Sequence, residues 1–303
     1  MRRTSISTLM PHILLAGVAL FWGSTFLLTK LAGESAGPFG VVALRFVVAS
    51  LALAALRPAA LLFIRREELL AGLLLAAIAF TGYAAQSIAL QEAPSARVAF
   101  VASLYVPLVP ILALPLLREA PGAKAMMAAG LAVLGVGVLS GAFGGDLVFG
   151  PADGLSLLSA LAIASEVVVL SRVVRHADPY RLALVVAGAT GLFAILAAAG
   201  SGEALPGANG SLLVAAGLLG LGTAAAQLAM AWAQKRVRAA QAALLYATEP
   251  VFAGVIGVLA GEALAPNEGV GAAIIVGAIV LGSVRLALPK GVRPRARLRS
   301  ARA

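Results

Sequence analysis

The 303-residue chain contains no cysteine and only two histidines, His12 and His176. Disulfides and thiolate metal sites are therefore excluded, and a zinc centre has almost no ligands to draw on. Neither histidine has a metal-ligand pattern or a nucleophile beside it, so no catalytic centre, metal or cofactor is expected. The chain also lacks a Gly-x-x-x-x-Gly-Lys-Ser/Thr stretch, which removes that route to nucleotide binding. Charge is scarce: 12% of residues are charged, 13 of them acidic against 23 Lys and Arg. Apolar surface is abundant instead. Hydrophobic residues make up 61% of the chain and mean hydropathy is +1.00, more than a water-soluble protein of this length can hide.

Apolar runs near 20 residues predict transmembrane helices at about 10–30, 38–57, 69–91, 95–116 and 124–141, then at about 153–172, 180–200, 211–232, 239–260 and 268–288. Glycine inside these runs does not argue against helix, because lipid leaves the backbone no better way to satisfy its hydrogen bonds. The first run has no credible cleavage site after it and is expected to be retained as a span. Two glycine-rich connectors, Gly141 to Asp153 and Gly200 to Gly210, are expected on the outer side.

The basic residues test this threading independently. With the N-terminus inside, 20 of the 23 Lys and Arg fall on cytoplasmic segments; Lys30 and Arg97 fall outside and Arg45 lies within a span. The formal charge of +10 is thus explained by topology and by contact with anionic lipid, and no nucleic-acid partner is expected. Residues 289–303 form a basic cytoplasmic tail.

The chain also resembles itself. At an offset of 143, Pro107 meets Pro250, Glu119 meets Glu262 and Gln91 meets Gln234; nearer the starts an offset of 141 pairs Ser24 with Ser165 and Pro38-Phe39 with Pro179-Tyr180. Five spans per copy make the second copy enter the membrane from the opposite side, an arrangement found in many secondary transporters. The expected fold is an all-alpha integral membrane protein of ten transmembrane helices in two inverted five-helix repeats, 10–141 and 153–288, with both termini cytoplasmic.

Several stretches resemble one family. Phe21-Trp22-Gly23-Ser24-Thr25-Phe26, followed by Lys30, Pro38 and Arg45, resembles the opening of an EamA domain, and Ala89-Leu90, Pro107 and Glu119 continue the pattern. In the second copy Glu249-Pro250, Gly261-Glu262, Gly271 and Gly277 resemble its closing signature. The chain is thereby similar to the ten-helix exporters with two EamA domains in the drug/metabolite transporter superfamily. The first copy departs from the pattern in having Arg118 before Glu119 and in the placement of Gly130. The resemblance implies a transporter in the cell inner membrane that exports metabolites, amino acids or toxic small molecules.

Polar and aromatic residues inside the spans are the candidates for the cavity or its gates. Arg45 must pair, face water or snorkel, and is expected in a structural salt bridge or gate ahead of substrate contact. Glu166 and Glu249 are candidate proton carriers or partners of cationic substrates, with an internal salt bridge or a water-facing position as the alternative. Pro107 and Pro250 cannot donate backbone hydrogen bonds and are expected to bend their helices, with Pro110 and Pro115 interrupting the fourth span further. Gln86 and Gln227, which align with a small gap, are expected to pack helices or line a polar cavity. Trp22, Tyr83, Tyr105 and Tyr246 can supply flat walls or cation-π contacts, Trp22 and Tyr83 foremost. Glu119, Glu262 and Lys30 are read as marking helix ends. The expected partners are a small-molecule substrate, membrane lipid and, through the carboxylates, a coupled proton; monomer and homodimer stay open. A passive channel or a membrane scaffold is the alternative function.

Overall fold

The computed structural model describes residues 6–33, 35–93, 95–118, 122–139, 150–203, 210–259 and 266–283. Glu119, Glu262, the tail from 289 and most of the connector after Gly141 lie outside the described residues, as do the side chains of Lys30 and Arg97. Among the described residues every regular element is an α-helix: α1 (Ile6–Gly33), α2 (Pro38–Leu56), α3 (Ala59–Leu62), α4 (Arg66–Glu92), α5 (Ser95–Ala102), α6 (Tyr105–Leu117), α7 (Ala123–Leu139), α8 (Pro151–Val173), α9 (Pro179–Ser201), α10 (Gly210–Gln234), α11 (Ala239–Tyr246), α12 (Glu249–Leu259) and α13 (Pro266–Ser283).

Proline marks several of the starts. Pro38, Pro151 and Pro179 stand in the first turns of α2, α8 and α9, where the missing N–H would have had no intrahelical partner and the fixed φ suits a helix. Among the described residues six helices are each long and apolar enough to cross a bilayer: Leu9–Thr29, Pro38–Leu56, Arg66–Glu92, Pro151–Val173, Pro179–Ser201 and Leu212–Gln234. Their outward faces are oily, with Leu51, Leu196, Leu213 and Leu221 all exposed. An apolar surface this extensive fits lipid and not water. The protein is a multi-pass membrane protein.

The runs at 95–116 and 239–260 are each divided in two, unlike the single helices expected there. The breaks fall at Ser103-Leu104 and at Ala247-Thr248, just ahead of Pro107 and Pro250. A proline ring crowds the carbonyl four residues earlier and offers it no N–H. Each break carries an i→i−3 backbone bond, ahead of the proline in the first copy and across it in the second. Val106 N donates to the Ser103 carbonyl at 3.0 Å, and Val251 N donates to the Thr248 carbonyl at 3.0 Å. A hydroxyl at each break bonds back to the preceding turn, Ser103 Oγ to the Ala99 carbonyl at 2.7 Å and Thr248 Oγ1 to the Leu245 carbonyl at 2.6 Å. Pro110 and Pro115, by contrast, do not interrupt α6, which continues through both to Leu117.

The two copies interlock. α1 packs on α10 as α8 packs on α4; α4 packs on α9 as α10 packs on α2; and α1 meets α12 as α8 meets α6. α2 against α9 and α7 against α13 are pairs of equivalent helices. The packing pattern is therefore preserved when the two copies are exchanged, and most of it joins one copy to the other. Glycine permits the closest approaches, as is common between membrane helices. A Cβ on Gly23 of α1 would lie 2.7 Å from the Glu249 carbonyl oxygen on α12, and one on Gly135 of α7 would lie 2.9 Å from Ile275 N on α13.

Two carboxylates tie the copies together at the ends of their second helices. Glu68, at the start of α4, accepts from Arg181 Nε at 2.6 Å and Nη2 at 2.7 Å. The same carboxylate accepts from Asp178 N at 2.9 Å and from Arg65 N at 3.1 Å, so it closes the start of its own helix as well as that of α9. Glu203, just past α9, accepts from Phe39 N at 3.2 Å and Gly40 N at 2.9 Å at the start of α2. Each carboxylate thus meets a helix N-terminus where the backbone dipole favours negative charge.

Candidate functional site

Between the copies lies a cleft. The first copy contributes Trp22 and Thr25 from α1 and Tyr83 and Gln86 from α4; the second contributes Ser159 and Glu166 from α8 and Glu249 from α12. Ile78, Ala79 and Ile163 supply apolar wall. The helices reach this point because α4 packs on α8 and α1 on α12, the latter through the gap left by Gly23.

Five of the residues singled out from sequence line the cleft: Trp22, Tyr83, Gln86, Glu166 and Glu249. Three more, Gln227, Tyr246 and Tyr105, do not line it but lie in the surrounding core. Gln227 donates from Nε2 to Glu166 Oε1 at 3.4 Å. Tyr246 packs against Trp22, ring centroids 5.0 Å apart and planes tilted by 50°, while its hydroxyl accepts from Gln234 Nε2 at 3.0 Å. Gln234 Oε1 in turn accepts from Ser171 Oγ at 2.9 Å, so a buried polar chain on α8, α10 and α11 holds the ring that backs Trp22. Tyr105 is buried at the start of α6, and its hydroxyl has no partner among the described residues. Pro107 and Pro250 do not line the cleft; they set the breaks beside it.

Arg45, expected in a structural salt bridge or gate, is held by a hydroxyl and three aromatic rings. The side chain is 3% exposed, its Nε donates to Thr223 Oγ1 at 2.6 Å, and no ion pair to it occurs among the described residues. Its guanidinium carbon lies 4.6 Å from the centre of the Tyr83 ring, 5.8 Å from that of Phe21 and 6.0 Å from that of Phe46. Ring faces from three helices thus replace water around the cation, and a hydroxyl takes one of its donors. Nη2 has no hydrogen-bond partner among the described residues.

Sequence reasoning passed over Thr25, Ser159 and Thr223. Short hydroxyl residues are common on membrane helices, and nothing local distinguishes those that face a cavity. One signal was available in the repeat. The offset of 141 that pairs Pro38 with Pro179 also pairs Trp22 with Ile163, Thr25 with Glu166 and Gln86 with Gln227. Gln86 and Gln227 therefore match without a gap in that frame, and the first two pairs line the cleft from opposite copies.

Two interlocked copies of one helical unit around a shared cleft form a recognisable architecture, and comparison with known proteins names it. The profile of the EamA-like transporter family matches residues 9–141 and again residues 150–284. The chain belongs to that family. An uncharacterized transporter of Archaeoglobus fulgidus is 28% identical over 273 residues, covering 90% of this chain and 85% of the other. A protein crystal structure superposes with a TM-score of 0.74 at 24% identity, over 90% of this chain and 96% of that one, a likeness of fold. This EamA-like transporter is accordingly a membrane transporter, a class whose substrates are small molecules.

Proposed function

We propose that this EamA-like transporter is a secondary carrier of the cytoplasmic membrane that exports amino acids, related metabolites or toxic small molecules by alternating access. The observation that carries the reading is the cleft itself, which takes its polar lining from both repeats. A site shared in this way can be opened to either side by rocking one repeat against the other. In this reading α5 with α6, α7, α11 with α12, and α13 complete ten spans, and both termini are cytoplasmic. The distribution of Lys and Arg supports that orientation. Pro107 and Pro250 supply matched hinge points beside the cleft, and Glu166 and Glu249 are its candidate proton carriers.

Counterflow of a broad metabolite set in proteoliposomes, with and without an imposed pH gradient, tests the function. Saturable, competitive exchange is expected; flux without saturation would leave a pore, and no flux of any solute would remove transport. The orientation has a clean test because the chain has no cysteine to give background. Single cysteines at Arg65 and Lys235 should both resist an impermeant maleimide in intact cells. Labelling at Lys235 alone would break the ten-span threading.

A further inference from the structure

Three charged side chains surround the cleft, and their balance points to a ligand. Glu166 and Glu249 line it, and Arg45 lies close enough to interact electrostatically with both. With all three ionised the formal sum is −1. The partners are distributed unequally. Arg45 is already occupied by Thr223 and the faces of Tyr83, Phe21 and Phe46, and Glu166 receives the Gln227 amide. Glu249 is half-buried and opens on the cleft, and no hydrogen bond to its carboxylate is seen among the described residues. A carboxylate left this way inside a membrane protein either takes up a proton or gains from a cation that meets its charge.

We propose that the cleft binds a small organic monocation, a protonated amine or quaternary ammonium bearing an apolar or aromatic group, with Glu249 facing the charge. The proposal rests on the transport reading above and names the substrate class of the same site. Ser159 supports it independently of the carboxylates. Its side chain is fully buried at 0% exposure on the cleft wall, and its Oγ has no partner among the described residues. A hydroxyl there can accept from an ammonium N–H. Trp22, backed by Tyr246, presents ring surface to the apolar part of such a ligand and attracts a cation over its face. An anion would meet two carboxylates and a guanidinium already covered by rings. A neutral ligand would gain nothing from the charge of either carboxylate.

The chain has two tryptophans, Trp22 and Trp232, so Trp232→Phe leaves Trp22 as the sole fluorescent reporter in the cleft. The full-length protein in micelles would be titrated with phenethylammonium, 2-phenylethanol and phenylacetate, which share a ring and differ in charge. Saturable quenching by the amine is expected at a concentration at least about tenfold below that needed for either comparator. Glu249→Gln should weaken the amine by about tenfold or more, Glu166→Gln by less, and Ser159→Ala by about threefold. Equal or stronger binding of the alcohol or the acid, or absence of binding by all three, would overturn the proposal. If Glu249→Gln does not fold, the charge preference of the otherwise unaltered protein still decides. Counterflow of another solute alongside preferential binding of phenylacetate would sink the substrate class and leave transport standing. Amine binding without counterflow of any solute would do the reverse.

Discussion

The two repeats share a backbone far more closely than they share charges. Both begin their second helix with Pro and an aromatic residue, both break a helix just before a matched proline, and their packing is preserved on exchange. At the cleft the match fails. Glu166 stands opposite Thr25, Glu249 opposite Val106 at the 143 offset, and Arg45 opposite Val186 at the 141 offset. Both carboxylates therefore come from the second repeat and the guanidinium from the first. The difference separates two jobs: the duplicated backbone provides a symmetric frame that can rock, and the unduplicated charges give that frame a site with chemical polarity.

The largest effect should come from removing a charge that has no twin. Glu249→Gln is expected to cut counterflow by about 100-fold, since a charge-assisted contact in such a site is worth about 3 kcal/mol and each 1.4 kcal/mol is about tenfold. Val106→Ile at the equivalent place in the first repeat should change flux by less than about threefold. Comparable losses in both variants would show that the position matters for packing and not for charge.

Next comes Glu68, whose four bonds hold the start of α9 as well as that of its own helix. Its side chain is 3% exposed while that of Arg181 is 18% exposed, so water relieves only part of the loss. Glu68→Ala should lower stability in micelles by about 3 kcal/mol, at the low end for breaking a buried pair. Adding Arg181→Ala should cost little more, because the partner has already been lost. Full additivity in thermal unfolding would mean that the two side chains do not act as a unit.

Gly23→Ala should follow at about 2 kcal/mol, the cost of forcing a methyl group against backbone in a packed interface. A Cβ there would meet Glu249 O at 2.7 Å, Ala253 N at 2.9 Å and the Phe252 Cβ at 2.9 Å, none of which can rotate away. The equivalent residue in the second repeat is Ala164, which already carries that methyl group. Wild-type transport and stability in Gly23→Ala would contradict the close approach at Gly23.

Legibility in the sequence followed the range of the forces involved. α1, α2, α4, α8, α9 and α10 could be read because an apolar run of bilayer length is a local property. The breaks at Ser103-Leu104 and Ala247-Thr248 were only half legible: proline marked the place, but Pro110 and Pro115 gave the same mark in a helix that runs on through both. Trp22, Tyr83, Gln86, Glu166 and Glu249 stood out as polar or aromatic groups in apolar runs, and these line the cleft. The surroundings of Arg45 could not be read in this way. Thr223 is 178 residues away in sequence, and the rings of Phe21, Phe46 and Tyr83 converge only once α1, α2 and α4 have packed. The Glu68 and Glu203 contacts were missed for the same reason, since each joins one repeat to the other.

Glu203 should give the smallest effect and the finest test of the comparison. It serves the start of α2 as Glu68 serves that of α9, but with two backbone bonds and no arginine. Asp178 accepts from Tyr180 N and Arg181 N at the start of α9, a cap for which α2 has only Gly37 at the matching position. Glu203 therefore supplies from the other repeat what Asp178 supplies locally. Glu203→Ala should cost about 1 kcal/mol, the ordinary value of a lost N-terminal cap. Replacing Gly37 with Asp in that background should restore only part of it: with Glu203 gone the new side chain has room and can accept from Phe39 N and Gly40 N as Asp178 does from Tyr180 N and Arg181 N, but it does not remake the link between the repeats. Recovery of full thermal stability by that double variant would mean that α2 needs only a cap and that the link between the repeats adds nothing at this end.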